Sequence, residues 1–123
     1  VAEMRVELVA IEREIWSGVA KSVIARTVEG DIGVLPGHAP LLAQLKEGFS
    51  ARIILQDGSE LGVAVHGGFL SVTKEKVSIL AEDAQLADEI DVNQARAAFN
   101  AAEEDSDESL RARAQLLAAG QSL

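Results

Sequence analysis

Histidine is the side chain best suited to acid–base or metal chemistry near neutral pH, and this chain of 123 residues has two, His38 and His66. Their spacing supports neither use. His38 stands in a Gly/Pro-rich stretch and His66 precedes Gly67-Gly68, with no His-x-His or His-Glu-x-x-His pattern to bring two imidazoles onto one metal. There is no cysteine, so thiolate nucleophiles, thiolate metal sites and disulfides are excluded. No Gly-x-Ser-x-Gly elbow is present, and the glycine-rich stretch runs into His38 rather than the Lys-Ser/Thr that closes a phosphate-binding loop. The 20 Asp and Glu residues are accounted for by surface solvation. The residues therefore point away from catalysis, and no metal or other cofactor is expected.

A second kind of chemistry, recognition, fits better. From Gly30 to Leu42 the chain reads Gly-Asp-Ile-Gly-Val-Leu-Pro-Gly-His-Ala-Pro-Leu-Leu, with three glycines and both prolines of the protein. Proline fixes φ and glycine permits φ > 0, so this stretch has a dictated path. It predicts a shaped surface loop, either a binding loop or a sharp turn joining strands. The net charge of −9 argues against nucleic acid and against an anionic membrane surface. Trp16, Phe49, Phe69 and Phe99 are the only large rings, too few for the exposed aromatic platform of a carbohydrate-binding sandwich. No run of about 18 apolar residues occurs, nor a basic segment leading into an apolar one, so neither membrane insertion nor secretion is expected.

Two zones position these residues. Over residues 1–86 apolar side chains alternate, as in Met4, Val6, Leu8, Ala10 and in Ala51, Ile53, Leu55. Asp57-Gly58 between two alternating runs predicts a β-hairpin. Further turns are predicted at Ser17-Gly18, Glu29-Gly30, Glu47-Gly48, Gly67-Gly68 and Lys74-Glu75-Lys76. Many short strands with frequent turns indicate a sandwich or barrel. Over residues 87–123 the period becomes helical. Ala95, Ala98, Phe99 and Ala102 recur at i, i+3, i+4, i+7 behind an Asp91 N-cap, with Gln94 placed for a capping box, predicting a helix from Val92 to Ala102. A second helix starts near Asp105 or Ser106, places Leu110, Ala114, Leu117 and Ala118 on one face, and stops at Gly120. The fold class is thus α+β, an all-β domain (1–86) followed by an antiparallel helical hairpin (87–123). The acids at 103–108 read as a solvated connection. Two helices of about three turns are marginal alone, so they must pack on something, and their alanine faces make a seam that exchanges easily.

Three segments in order, Gly30 to Leu42, Ala-Val-His-Gly-Gly-Phe-Leu-Ser-Val at 64–72 and Val-Ser-Ile-Leu-Ala-Glu at 77–82, resemble the epsilon subunit family of F-type ATP synthases. The resemblance covers the whole chain and implies a β-sandwich of about ten strands with a C-terminal helical hairpin. It further implies a non-catalytic rotor part at the foot of the central stalk, bound to the gamma subunit and the c-ring, that helps couple proton flow to ATP synthesis. Such a subunit is peripheral, on the cytoplasmic face of the energy-coupling membrane, most simply a bacterial plasma membrane. Asp31, Ile32, Gly33 and His38 become the candidates for c-ring or gamma contact. In this family the hairpin lies folded on the sandwich or extends toward the alpha/beta catalytic head, where it inhibits ATP hydrolysis. Some members bind ATP as a regulatory ligand through Ile/Leu-Asp-x-x-Arg-Ala. Here Ile90-Asp91 is followed by Gln94-Ala95, and Arg96 lies two positions late, about 200° around the helix. The resemblance leaves Ile90, Asp91, Arg96, Arg111 and Arg113 as nucleotide-binding candidates, while the bare sequence reads Asp91 as an N-cap.

Overall fold

The computed structural model describes residues 3–123, in which eight strands precede two helices. The strands are β1 (Met4–Ala10), β2 (Glu14–Ala20), β3 (Ser22–Thr27), β4 (Gly30–Val34), β5 (Leu41–Gln44), β6 (Ser50–Ile54), β7 (Glu60–Val72) and β8 (Lys76–Leu86). A 3₁₀ turn at Ala87–Glu89 leads into α1 (Val92–Ala101) and α2 (Asp107–Ala118).

The eight strands make two layers because β7 and β8 serve in both. Residues 69–72 of β7 pair with β5, residues 76–81 of β8 pair with β1, and β2 pairs with β1. Residues 60–64 of β7 pair with β6, which leads on to β3 and β4. The register between β7 and β8 is unbroken, His66 opposite Asp83 and Gly68 opposite Ala81. The core-facing side nevertheless switches, from Val63 and Val65 to Leu70 and Val72. Gly67 and Gly68 make the switch, with φ of 64° and 139°. A Cβ on Gly68 would lie 2.1 Å from the Leu80 carbonyl oxygen, so no other residue fits. The structure thus has eight strands where the resemblance implied about ten, because β7 and β8 each run through both layers.

Between the layers Val6, Leu8, Val23, Val34, Ile53, Val63, Leu70 and Ile79 are fully buried. Each such side chain contributes about 1.5–3 kcal/mol by leaving water. Asp57-Gly58 turns the β6–β7 hairpin as expected: Gly58 has φ 89°, and the Asp57 carboxylate accepts from the Ser59 N–H (2.9 Å) and hydroxyl (2.6 Å).

Three expectations need correction. Gly67-Gly68 kinks a strand instead of ending one. Ser17-Gly18 also lies within a strand, β2, where the missing side chain makes room for the Trp16 ring, 2.8 Å from where a Cβ would stand. And the Gly30–Leu42 stretch is loop only over 35–40, because alternation at Ile32 and Val34 pulls 30–34 into β4 against β3. The remaining loop holds a type II turn, with Pro36 and Gly37 (φ 87°) at its centre and the His38 N–H donating to the Leu35 carbonyl (3.1 Å).

The helices form as read, with local caps. Asp91 accepts from the Gln94 N–H (3.0 Å) and Ser106 from the Ser109 N–H (3.1 Å). Gly120 (φ 78°) ends α2 in a Schellman motif, its N–H on the Leu117 carbonyl and that of Gln121 on Leu116. What differs is the buried surface: on α1 only Ala95 is buried and Ala98, expected on the apolar face, is exposed, and on α2 a second side is covered as well. Leu116 and Ala112 are more deeply buried than Leu110 and Leu117, and Ala114 and Ala118 are buried on the side of the sheet. Residues 112 and 114 lie about 200° apart around the helix. α2 is thus a middle layer, covered by β7 and β6 on one side and by α1 on the other.

Candidate functional site

The outer face of the first layer is apolar without structural need. Phe69 and Leu80 face each other across β7 and β8 and are 46% and 42% exposed; Leu42 on β5, on the same face, is 68% exposed. Val9 on β1 continues the row opposite Leu80, and Val19 on β2 is also exposed. Beside them a polar ladder closes the face. The Lys76 ammonium donates to Glu7 (2.9 Å), as does the Ser78 hydroxyl (3.2 Å), and the Lys76 bond above all holds the Glu7 carboxyl below its ordinary range. Exposed side chains of this size cluster where a partner covers them.

Asp31 lies at the far edge of the second layer, near the β3–β4 turn, opposite Arg26. The two side chains form a two-point ion pair, Arg26 Nε on one carboxylate oxygen and Nη2 on the other at 3.3 Å. Hydrogen bonding to Arg26 lowers the Asp31 pKa. Of the other contact candidates, Gly33 is exposed on the same strand, whereas Ile32 points inward and packs on the core. His38 belongs to the separate 35–40 loop, its Nδ1 2.7 Å from the Ala39 carbonyl oxygen.

The hairpin docks on the second layer through small residues. Ala64, Ala114 and Ala118 form the seam, with Ile90 packed against them. At Gly62 a Cβ would come within 2.0 Å of the Ala118 carbonyl oxygen, so β7 admits the end of α2 only because nothing projects there. A polar clasp holds the other end of α2. His66 Nε2 lies 2.9 Å from Asp107, Arg111 reaches Asp107 (3.0 Å) and Asp83 (2.9 Å), and Gln115 donates to Gln85 (2.8 Å). His66 is buried and its Nδ1 has no partner among the described residues, while Nε2 faces the helix. Asp107, read from sequence as part of a solvated acidic connection, is thus a docking residue, and no local signal marks it. Arg111 above all holds its carboxyl below the ordinary range, with partial burial opposing and His66 adding to the effect.

The nucleotide candidates do not converge. Ile90 is in the seam, Asp91 caps α1, and Arg96 donates to the Ser122 carbonyl (2.8 Å). Arg111 serves the clasp, while Arg113, on another face of α2, donates to the Gly48 carbonyl (2.8 Å) and lies over the Phe49 ring (4.5 Å). Among the described residues no cluster of three or more His, Asp or Glu has the geometry to hold a metal ion, and no helix is long and apolar enough to cross a membrane.

Residues 3–87 match the family model described as the ATP synthase delta/epsilon chain β-sandwich domain. The ATP synthase epsilon chain of Rhodococcus opacus is 59% identical over 96 residues, 78% of this chain and 79% of that one. The epsilon chain of Streptomyces griseus is 50% identical over 115 residues, 94% of this chain and 92% of its own. The fold is shared with a chain in the Euglena gracilis mitochondrial ATP synthase (TM-score 0.72, 24% identity, covering 98% of this chain and 83% of that one). With the sandwich, its kinked shared strands and the docked hairpin all accounted for, this chain belongs to the ATP synthase epsilon chain family.

Proposed function

We propose that this chain is a non-catalytic rotor subunit of the central stalk, joining the gamma subunit to the c-ring and so helping to couple proton flow to ATP synthesis. The observation that carries this reading is the exposed apolar face of Leu42, Phe69 and Leu80, which the core does not use and a partner would cover. That face suits the gamma subunit. The β3–β4 edge, with Asp31 exposed and Gly33 beside it, suits a polar contact with the loops of the c-ring. An exposed ion pair there adds little affinity and serves chiefly to set register. The subunit is peripheral, and the side of the membrane it occupies in this reading is the cytoplasmic one. In the docked position the hairpin is folded away; extended, it would reach the alpha/beta head and restrain ATP hydrolysis.

The test is capture of the purified gamma subunit by the full chain. Phe69→Asp with Leu42→Asp, both on exposed positions, is expected to weaken capture at least about tenfold while the fold is retained. Unchanged capture would overturn the assignment of this face. Hydrolysis by the assembled complex, with this chain or one ending at Asp88, tests the hairpin: a rise on truncation supports restraint, and no change refutes it.

A further inference from the structure

We propose that hairpin docking is transmitted to the β3–β4 edge through Phe49, so that the pairing of Arg26 with Asp31 depends on whether α2 is seated. The chain of contacts is continuous. From α2, Arg113 donates to the Gly48 carbonyl (2.8 Å) and lies over the Phe49 ring at 4.5 Å. From β3, Arg26 lies over the same ring at 4.6 Å and pairs with Asp31 on β4. Gly48 is shaped for the seated helix: it has φ 85°, and a Cβ there would meet Arg113 Nη2 at 2.4 Å and Leu110 Cδ2 at 2.8 Å.

The physical consequence runs in one direction. Seated, α2 supplies a charged donor to Gly48 and a cation to Phe49, and so holds the 45–49 segment where the ring supports Arg26. Unseated, the Gly48 carbonyl and the ring lose those partners together, the segment relaxes, and Arg26 loses the surface that orients its fork toward Asp31. The seam itself is alanine against alanine and glycine, which makes unseating the inexpensive motion of this molecule. Linkage makes the effect reciprocal: whatever draws Asp31 away from Arg26 loosens α2 by the same factor. Phe49 is half-buried, and each cation over such a ring is worth at least about a two- to fivefold change in such an equilibrium. The inference rests on the proposed function only in treating this edge as partner-facing.

Nuclear magnetic resonance on the isolated full chain tests it without any partner, so its outcome is independent of gamma capture. Gly62→Val, which places a β-branched side chain against Ala118, unseats the helix at a strand position paired with Arg52 rather than at the Arg113–Phe49 contact; Arg113→Ala cuts the link directly with the helix in place. Both are expected to shift the Arg26 Nε–H and Asp31 carboxyl signals and to raise the Asp31 titration midpoint, as its cation becomes less firmly held. Phe49→Leu is expected to abolish the response of the edge to Gly62→Val. Edge signals unmoved by either of the first two variants, or a response that survives Phe49→Leu, would overturn the proposal.

Discussion

The sandwich and the hairpin solve the same problem, burial, with different side chains. Between the layers lie Leu8, Ile53, Leu70 and Ile79, all fully buried, whereas the hairpin sits on the sheet through Ala64, Ala114 and Ala118. A large aliphatic side chain contributes about 1.5–3 kcal/mol and an alanine methyl about 0.8. The sandwich is therefore held by bulk and the hairpin by fit, with Gly62 and the His66–Asp107–Arg111–Asp83 clasp deciding where the helices rest. Fit is easily lost to one misplaced atom, and a region held that way is suited to change position.

That contrast yields predictions of decreasing size. Ile53→Ala or Leu70→Ala should cost about 2–5 kcal/mol of global stability, measured by denaturant unfolding followed on sandwich residues. Gly62→Val should release α2 and leave the sandwich midpoint nearly unchanged; amide exchange would show the helices losing protection while β7 keeps it. A sandwich that unfolds along with the helices would show that the two regions are one cooperative unit. Asp91→Ala should cost about 1 kcal/mol, confined to α1, since only the Gln94 N–H loses its partner.

The smallest effect is acid. The Asp107 pKa is lowered in the docked state, so its contribution is present above the ordinary carboxyl range and is lost as pH falls through the lowered value. Below about pH 4 the hairpin should loosen before the sandwich does, and His66→Gln should shrink the difference between the two. Simultaneous loss of both regions across the titration would remove Asp107 as the cause.

How much was legible follows from the range of each signal. The β6–β7 hairpin was readable because Asp57-Gly58 acts within four residues, and both helices because Asp91, Ser106 and Gly120 cap their own neighbours. Gly67-Gly68 was misread because a turn and a kink ask the same backbone freedom of glycine. Only the pairing of β7 with β8 on both sides shows that the strand continues. α2 was read as one-faced because alanine occupies both its sides, and alanine carries too weak a preference to reveal two. Arg111 and Arg113 are both nucleotide candidates by resemblance; two positions apart, they serve different faces.

The residues alone determined the α+β class, the strand rhythm and the helix caps, because each depends on types and spacings within a turn or two of chain. Tertiary structure decided what those elements do to one another. It placed Phe69 and Leu80 outward, Ile32 inward, His66 on Asp107, and Arg26 and Arg113 over one ring. Contacts between residues far apart in sequence are set by sheet register and by the volume left between layers, and neither quantity exists until the chain has folded.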